Sequence, residues 1–451
     1  MSERRHWSTL LSATRFKVRD GGLRAMPAAV SEDGSAGLRS EFHIDHDRIV
    51  FSSAFRRLGR KTQVHPLARN DHTHNRLTHS IEVASVGRSL GNRVGAQLRA
   101  GGHLPAPYTP YDIGSTVQVA CLAHDLGNPP FGHTGEYALR DWFREPSRAA
   151  LLAPLSTGQR ADIQTYEGNA HGLRQVCSLE MYSGEGGMRL TAASLGTLVK
   201  YPWTAQTFPD KGKFNIYQAE LAYFDAVAEE LGLLRRSAEC WVRHPLSYLM
   251  EAADDICYAI VDLEDAVEME ILDLVELQRL LAPIVDPDKV WQIRDPRQYA
   301  AALRGTMVGR CVKDLADTFM RHHDALLAGE LPMHDLIAGA SPEIRDTLAA
   351  SKQLASEKVY RHRSKVVTEV AAYPCLAVIL DTLVPTVHVL CTQGPDALSH
   401  RQRTQLALLE VPLPEAVSLY EGYLRVLDFV GSMTDNHAAR LAREISGIGL
   451  I

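Results

Sequence analysis

What this 451-residue chain lacks narrows its reading before any motif is considered. It has no CxxC pair, and its seven cysteines stand far apart at 121, 177, 240, 257, 311, 375 and 391. That odd, scattered set excludes a disulfide framework and a cysteine-ligated zinc site, and it predicts reduced thiols in a cytoplasmic setting. No uninterrupted apolar run approaches the roughly 18 residues that a membrane span needs; the best extends from Cys375 to Leu380. The opening stretch MSERRHWSTLLSATRF is basic, yet it has neither a long apolar core nor a small-residue cleavage site, so no signal peptide is expected. Strand-like alternation of β-branched residues is scarce, and internal repeats and low-complexity tracts are missing. Global basic charge is missing too. The formal net charge is −6, so the average advertises neither nucleic acid nor an anionic membrane as a partner.

What is present is enough apolar material for a large core, 45% hydrophobic against 23% charged, which excludes disorder over most of the chain. The charge is uneven. Between Arg48 and His79 seven basic residues (Arg48, Arg56, Arg57, Arg60, Lys61, Arg69 and Arg76) face one acid, Asp71, and six of the 19 histidines fall between His43 and His79. An anion is the expected partner of that window. Apolar residues at i, i+3, i+4, i+7 predict helices over about 76–99, 113–127, 133–144, 217–232, 245–269, 298–328, 366–392 and 412–430. Glycine- and proline-rich punctuation places loops at 31–37, 101–112, 145–160, 183–187, 202–213 and 286–296. The expected organisation is all-α: a loosely ordered segment over 1–40, a catalytic core over 41–285, and a C-terminal helical region over 286–451 packed on it.

Three segments carry side chains suited to a hard divalent cation: Arg76-Leu-Thr-His79, Ala123-His124-Asp125-Leu-Gly127 and Glu251-Ala-Ala-Asp254-Asp255. Without cysteine, such an ion needs imidazole and carboxylate ligands. His124-Asp125 lies just before a glycine C-cap, where the last helical turn opens and neighbouring side chains converge. His79 is on a helix whose apolar positions leave it free to face a cleft, and Asp254 comes from a third helix. Each feature alone is weak, since His334-Asp335 and His323-Asp324 repeat the dipeptide without its context; the joint occurrence on predicted helices is what singles out the set. A second pair, His133 and Glu136, stands at i, i+3 near a predicted helix start, where a carboxylate can orient an imidazole for proton transfer.

The order H…HD…D is the signature of the HD phosphohydrolase superfamily. The flanking text is more specific: SSAFRRLGRKTQV (52–64), NRLTHSIEVASVGR (75–88), ACLAHDLGNPPFGHTGE (120–136), YEGNAHGLR (166–174), LGTLVKYPW (195–203) and HPLSYLMEAADDICYAIVDLEDA (244–266). These resemble, in family order, the deoxyguanosinetriphosphate triphosphohydrolase family, including its bacterial dGTPase-like branch. EKVYRHRSKV (357–366) extends the likeness more weakly. Tyr166 stands where the family more often has phenylalanine, and Gly59 where a longer side chain is commoner.

The resemblance implies an all-α HD-domain fold and hydrolysis of a deoxynucleoside triphosphate at the α-phosphorus, giving deoxynucleoside and inorganic triphosphate. It implies a divalent ion, Mg²⁺ or Mn²⁺ foremost, on His79, His124, Asp125 and Asp254. Asp254 is preferred to Asp255 by the motif and because Asp254, Tyr258 and Asp262, at i, i+4 and i+8, drift only about 80° around one helix. In the family that aromatic and second carboxylate hold the 3′-hydroxyl, and the residue matching Gln63 contacts the sugar near C2′. Arg56, Arg57, Arg76, Lys200, Tyr201 and Lys213 are the candidates for triphosphate and base. His133 and Glu136 become the catalytic pair. The resemblance further implies a homo-oligomer, a hexamer foremost, with a dNTP or single-stranded DNA as effector. Apolar positions after residue 300 (Leu315, Phe319, Leu326, Val366, Val367, Val370, Leu376, Ile379 and Leu383) exceed what the catalytic unit needs and point the same way. Two other readings stand beside this one: an HD phosphohydrolase acting on another nucleotide, and a non-catalytic nucleotide sensor or DNA-binding oligomer.

Overall fold

Gly87, Gly91 and Gly95 recur every fourth residue on the helix Arg76–Ala100. A Cβ on Gly91 would lie 2.7 Å from the Gly114 Cα, and one on Gly95 2.7 Å from the Pro110 Cα. The bare stripe therefore lets this helix meet Pro110–Ala123 backbone to backbone, antiparallel. Asn75 caps the first helix, its side-chain oxygen accepting the Leu77 and Thr78 amides. Pro110 opens the second, where no N–H is required, and Asp112 accepts from the Thr109 amide at 2.7 Å. The antiparallel pairing brings the start of one helix, with His79, beside the end of the other, with His124. Across both packs the helix Ser247–Glu268, whose Leu249, Met250, Ala253, Ile256, Cys257 and Ile260 are buried.

The computed structural model describes residues 5–27, 39–63, 74–285, 295–359, 363–409, 413 and 416–448. Among them the only strands are two antiparallel pairs, Arg15–Arg19 with Gly22–Met26 and Arg235–Ser237 with Cys240–Trp241, so the expected all-α architecture holds. The expected helices are present, with Arg76–Ala100, Gly132–Arg144, Leu221–Glu230, Ser247–Glu268, Pro296–Arg321 and Leu419–Ser432 among them. Shorter helices such as Thr157–Gln164, Gly168–Arg174 and Ala192–Leu198 carry too few turns for their periodicity to stand out. The loop at 31–37 and most of that at 286–296 lie outside the described residues.

Within the segment expected to be loose, residues 5–16 pack onto the core, while 19–27 are largely exposed. Trp7, Leu10, Leu11 and Phe16 are buried, and Arg15 pairs with Glu41 at 2.7 Å and with buried Asp45. The apolar interior forms two large clusters, and they do not divide near 285. Pro296–Arg321 and Pro342–Leu354 contribute Leu303, Met307, Leu315, Phe319 and Leu348 to the same core as the three metal-site helices. The second core joins Leu139, Trp142, Phe143 and Tyr166 to Leu376, Ile379, Leu380 and Leu383 of the helix Arg363–Gln393 and to Leu419–Ser432.

Two expectations need correction here. The helix through Lys365–Gln393 is long and apolar enough to cross a membrane by composition, its most apolar 18-residue window having a mean hydropathy of 1.8, although no uninterrupted apolar run showed it. One side of this helix is the spine of the second core, which accounts for much of that hydropathy. Most of the apparent apolar surplus also closes inside the chain: Leu315, Phe319, Leu326, Leu376, Ile379 and Leu383 are buried, while Val366, Val367 and Val370 remain exposed.

Candidate active site

His79, His124 and Asp125 offer ligand atoms that all lie within 4.8 Å of one another. Asp254 completes the group: its Oδ1 is 3.2 Å from the His79 Nε2 and 3.4 Å from the His124 Nε2. The His124 Nδ1–H donates to the Cys121 carbonyl at 2.6 Å, which leaves Nε2 as the free lone pair. Asp125 Oδ2 accepts from Arg76 Nη1 at 2.8 Å, and its Oδ1 accepts from the Asn128 amide. Burial opposes charge on His124, but Asp125 and Asp254 outweigh it and raise its pKa to about 9. Burial likewise pushes Asp125 up, yet Arg76, His124 and His79 hold it at about 2. Asp254 is kept well below the usual carboxylate range by His124, His79 and Lys200, again against burial.

Two imidazoles and two ionised carboxylates converging from three helices, without sulfur, are the donor set of a hard or borderline divalent ion. Asp255, one residue on, pairs instead with Lys352 at 2.6 Å.

The helix Gly132–Arg144 supplies the second constellation. His133, its side chain 70% exposed, donates from Nδ1 to Glu136 Oε2 at 3.1 Å, while Glu136 is almost wholly buried. The other carboxylate oxygen of Glu136 accepts the Gly168 amide at 2.8 Å. A Cβ on Gly168 would sit 2.8 Å from that oxygen and 2.7 Å from the Asn128 Oδ1, so the position has no room for one. Glu167, fully buried beside it, pairs with Arg140 at 3.0 Å and Lys213 at 3.1 Å. The two carboxylates share these cations with opposite results. Despite burial, Glu136 is lowered by His133, Lys213 and Arg140; Glu167 is raised by burial and by Glu136. Tyr166 has a use for the hydroxyl that phenylalanine lacks: it donates to the Gly127 carbonyl at 2.9 Å.

One small cavity lies at His133 and reaches the metal group only through Arg76, the partner of Asp125. Gln63, Arg76, Phe131, Gly132 and His133 line it, with Lys365, Thr368 and Glu369 from the helix Arg363–Gln393 as its far wall. The Gln63 Oε1 is buried and unpaired there, and so is the Arg76 Nε. Lys200 is beside the metal group, its Nζ 3.6 Å from Asp254 Oδ2 and 3.9 Å from Glu251. Tyr258 and Asp262 lie on the Asp254 helix, Asp262 buried. Tyr201 packs on Trp203, with its backbone held by Asn215 at 2.8 Å. Lys213 is engaged with Glu167. Arg56 is not gathered with the others: it is exposed and donates to the Phe51 and Ser52 carbonyls. Arg57 pairs with Glu180 at 3.0 Å. Lys61 is buried, bonded to the carbonyls of Asn128 and Gly431, and burial pushes its pKa down to about 7. Most of the basic window is thus already partnered. Asn128, Glu167, Arg140 and the 365–369 wall escaped the sequence reading. Asn128, Glu167 and Lys365 do lie within the segments ACLAHDLGNPPFGHTGE, YEGNAHGLR and EKVYRHRSKV, but nothing in their types or spacing singled them out.

The family model described as "HD domain" matches residues 76–156. Over almost its whole length the chain is 43% identical to a Pseudomonas aeruginosa protein named "Deoxyguanosinetriphosphate triphosphohydrolase-like protein", covering 98% of both chains. A Synechocystis protein of the same name is 37% identical, with 91% of this chain and 95% of that protein covered. A Yersinia pestis protein named "Deoxyguanosinetriphosphate triphosphohydrolase" is 30% identical, with 95% and 98% covered.

Proposed function

The chain belongs to the deoxyguanosinetriphosphate triphosphohydrolase-like family, and from that premise we propose that it hydrolyses deoxynucleoside triphosphates at the α-phosphorus, releasing deoxynucleoside and inorganic triphosphate. It is a metal-dependent phosphoric-ester hydrolase of the HD class. The observation that carries the finer reading is the shared cavity: Gln63, Arg76 and His133 line one space, and Arg76 is bonded to a carboxylate of the metal group.

His79, His124, Asp125 and Asp254 would hold a divalent ion, Mg²⁺ or Mn²⁺. Such an ion supplies Lewis acidity toward a phosphate oxygen and toward attacking water. The remaining work belongs to the chain. Arg76 and Lys200 sit where negative charge on a triphosphate needs neutralising. His133, oriented by Glu136 through Nδ1, presents Nε2 to transfer a proton to the leaving 5′-oxygen. Gln63, whose buried Oε1 is unpaired, and the Tyr258/Asp262 stripe read the deoxyribose. Tyr201 and Lys213 line the approach to base or phosphate. We also place the protein in a cytoplasmic setting, in keeping with seven free cysteines. We read it as a homo-oligomer, a hexamer foremost, that responds to a dNTP or single-stranded DNA.

The deciding experiment incubates purified protein with Mg²⁺ or Mn²⁺ and each dNTP, singly and mixed, and separates the products by ion exchange. Inorganic triphosphate with free deoxynucleoside is expected. Pyrophosphate with a monophosphate, or orthophosphate with a diphosphate, would overturn the assignment. GTP and 2′,3′-dideoxy-ATP are expected to react far more slowly than dGTP and dATP, by as much as about 10⁴-fold where buried polar groups pair with the sugar hydroxyl. Equal rates would remove Gln63, Tyr258 and Asp262 from the sugar site.

A further inference from the structure

A carboxylate near the C-terminus reaches two loops of the candidate site. Asp435 opens the helix Asp435–Ile445, but Thr434 caps that helix, its hydroxyl oxygen accepting the His437 amide at 3.2 Å. The Asp435 side chain is therefore not needed by its own helix, and it leaves it. Its Oδ1 accepts the Phe131 amide at 2.9 Å and its Oδ2 accepts the Thr62 amide at 3.0 Å, with the residue only 4% exposed. Thr62 precedes Gln63. Phe131 precedes the helix that carries His133, and it holds a φ of 65°, a left-handed backbone that a bulky residue keeps only where its surroundings over-determine it. Alongside, the buried Lys61 ammonium donates to the Asn128 carbonyl at 2.5 Å and to the Gly431 carbonyl at 2.6 Å. The turn between Leu419–Ser432 and Asp435–Ile445 is thus bonded to both the 61–63 segment and the 128–131 loop.

We propose that Asp435 is a positioning residue of the reaction: by accepting one amide from each loop, it sets the separation between Gln63 at the sugar and His133 at the leaving oxygen. This rests on the roles given to Gln63 and His133 above. A carboxylate suits the task because it offers two acceptor oxygens and no donor. An amide in its place would turn an N–H toward one of the two backbone N–H groups. Displacing a reacting group by about an ångström from a site remote from the chemistry costs up to about 100-fold in rate.

The test is Asp435→Asn in the full chain, with Asp381→Asn as comparator. Asp381 is another C-terminal carboxylate, which accepts from Trp142 and Arg148 at the opposite end of the His133 helix. In Asp435→Asn, kcat/KM for the best dNTP should fall by about 10- to 100-fold and the dGTP/GTP preference should narrow. Its Mn²⁺ affinity should stay close to that of the starting protein, with a fall in melting temperature of no more than about a few degrees. Asp381→Asn should change none of these. An unchanged rate and sugar preference in Asp435→Asn overturns the proposal. So does an equal loss in the comparator, or a parallel collapse of Mn²⁺ binding, since either marks general loosening. Should Asp435→Asn fail to fold, amide hydrogen exchange on the unmodified protein decides: Phe131 and Thr62 should be protected like helix-core amides, and exchange at an exposed-loop rate refutes the bonds. An unmodified protein that hydrolyses no dNTP defeats the functional reading instead, and the exchange measurement then still tests the two bonds.

Discussion

At the metal group, each ligand is placed by a neighbour as much as by its own helix. Asp254→Ala and His124→Ala should each abolish Mn²⁺ binding, followed by electron paramagnetic resonance, and with it turnover, while circular dichroism stays unchanged. A metal-replete, active Asp254→Ala protein would transfer the role to Asp255, which the Lys352 pair argues against. Asn128→Ala should weaken metal affinity by about 10- to 100-fold, because the amide that orients Asp125 is lost. A separate residue adds to the pH dependence of stability. Asp162 is buried, accepts from Tyr420 and from the Gln218 amide, and burial raises its pKa to about 8. Between the ordinary aspartate range near 4 and pH 8, the folded protein keeps a proton that the unfolded chain has lost, so this group contributes less stability as pH rises through that window. Asp162→Asn keeps an acceptor oxygen and has no proton to lose. Urea midpoints at pH 5 and pH 8.5 should therefore lie closer together in the variant than in the parent; an unchanged gap would dismiss Asp162 as the cause.

Among elements, the glycine stripe governs the geometry of the metal group. Gly91→Val places a branched side chain where a single Cβ is already 2.7 Å from the Gly114 backbone. The two helices must part, and about 1–3 kcal/mol of stability should go with them. Since His79 and His124 sit at one end of this pair, Mn²⁺ binding should weaken in parallel. Denaturation and metal titration on the same preparation check both, and intact metal affinity in a destabilised variant would show that the ligand geometry does not depend on this contact. The stripe was present in the sequence, but its partner was not: Gly114 and Pro110 became its neighbours only when the second helix ran back along the first.

At the scale of the whole molecule, the homo-oligomer proposed above calls for an exposed apolar face. Val366, Val367, Val370 and Tyr373 are exposed on the Arg363–Gln393 helix, next to Lys365, Thr368 and Glu369 at the cavity wall. If this face is a subunit contact, Val367→Glu with Val370→Glu should lower the assembly state seen by light scattering and reduce dNTP turnover, because the cavity wall lies on the same helix. A parent protein that is monomeric at micromolar concentration would end the oligomer reading.

Proximity was readable without the fold where side chains share one helix: His133 with Glu136 is of that kind, because helical spacing decides which residues share a face. The grouping of His79, the His124-Asp125 pair and Asp254 was an expectation from ordered motifs and family resemblance, and packing of the helices brings these side chains together. Arg56 shows the limit: charge and proximity to a motif suggested an anion contact, yet its guanidinium turns back on the carbonyls of Phe51 and Ser52. Everything that depends on long-range contact was decided by tertiary packing. Buried Glu167 became the partner of half-buried Lys213, the helix Arg363–Gln393 became a wall of the cavity, and Asp435 came to hold amides 373 and 304 residues away. Local spacing determines which side chains can act together on one helix. Which loops are held, and at what separation, depends on acceptors that only a closed core brings within hydrogen-bond reach.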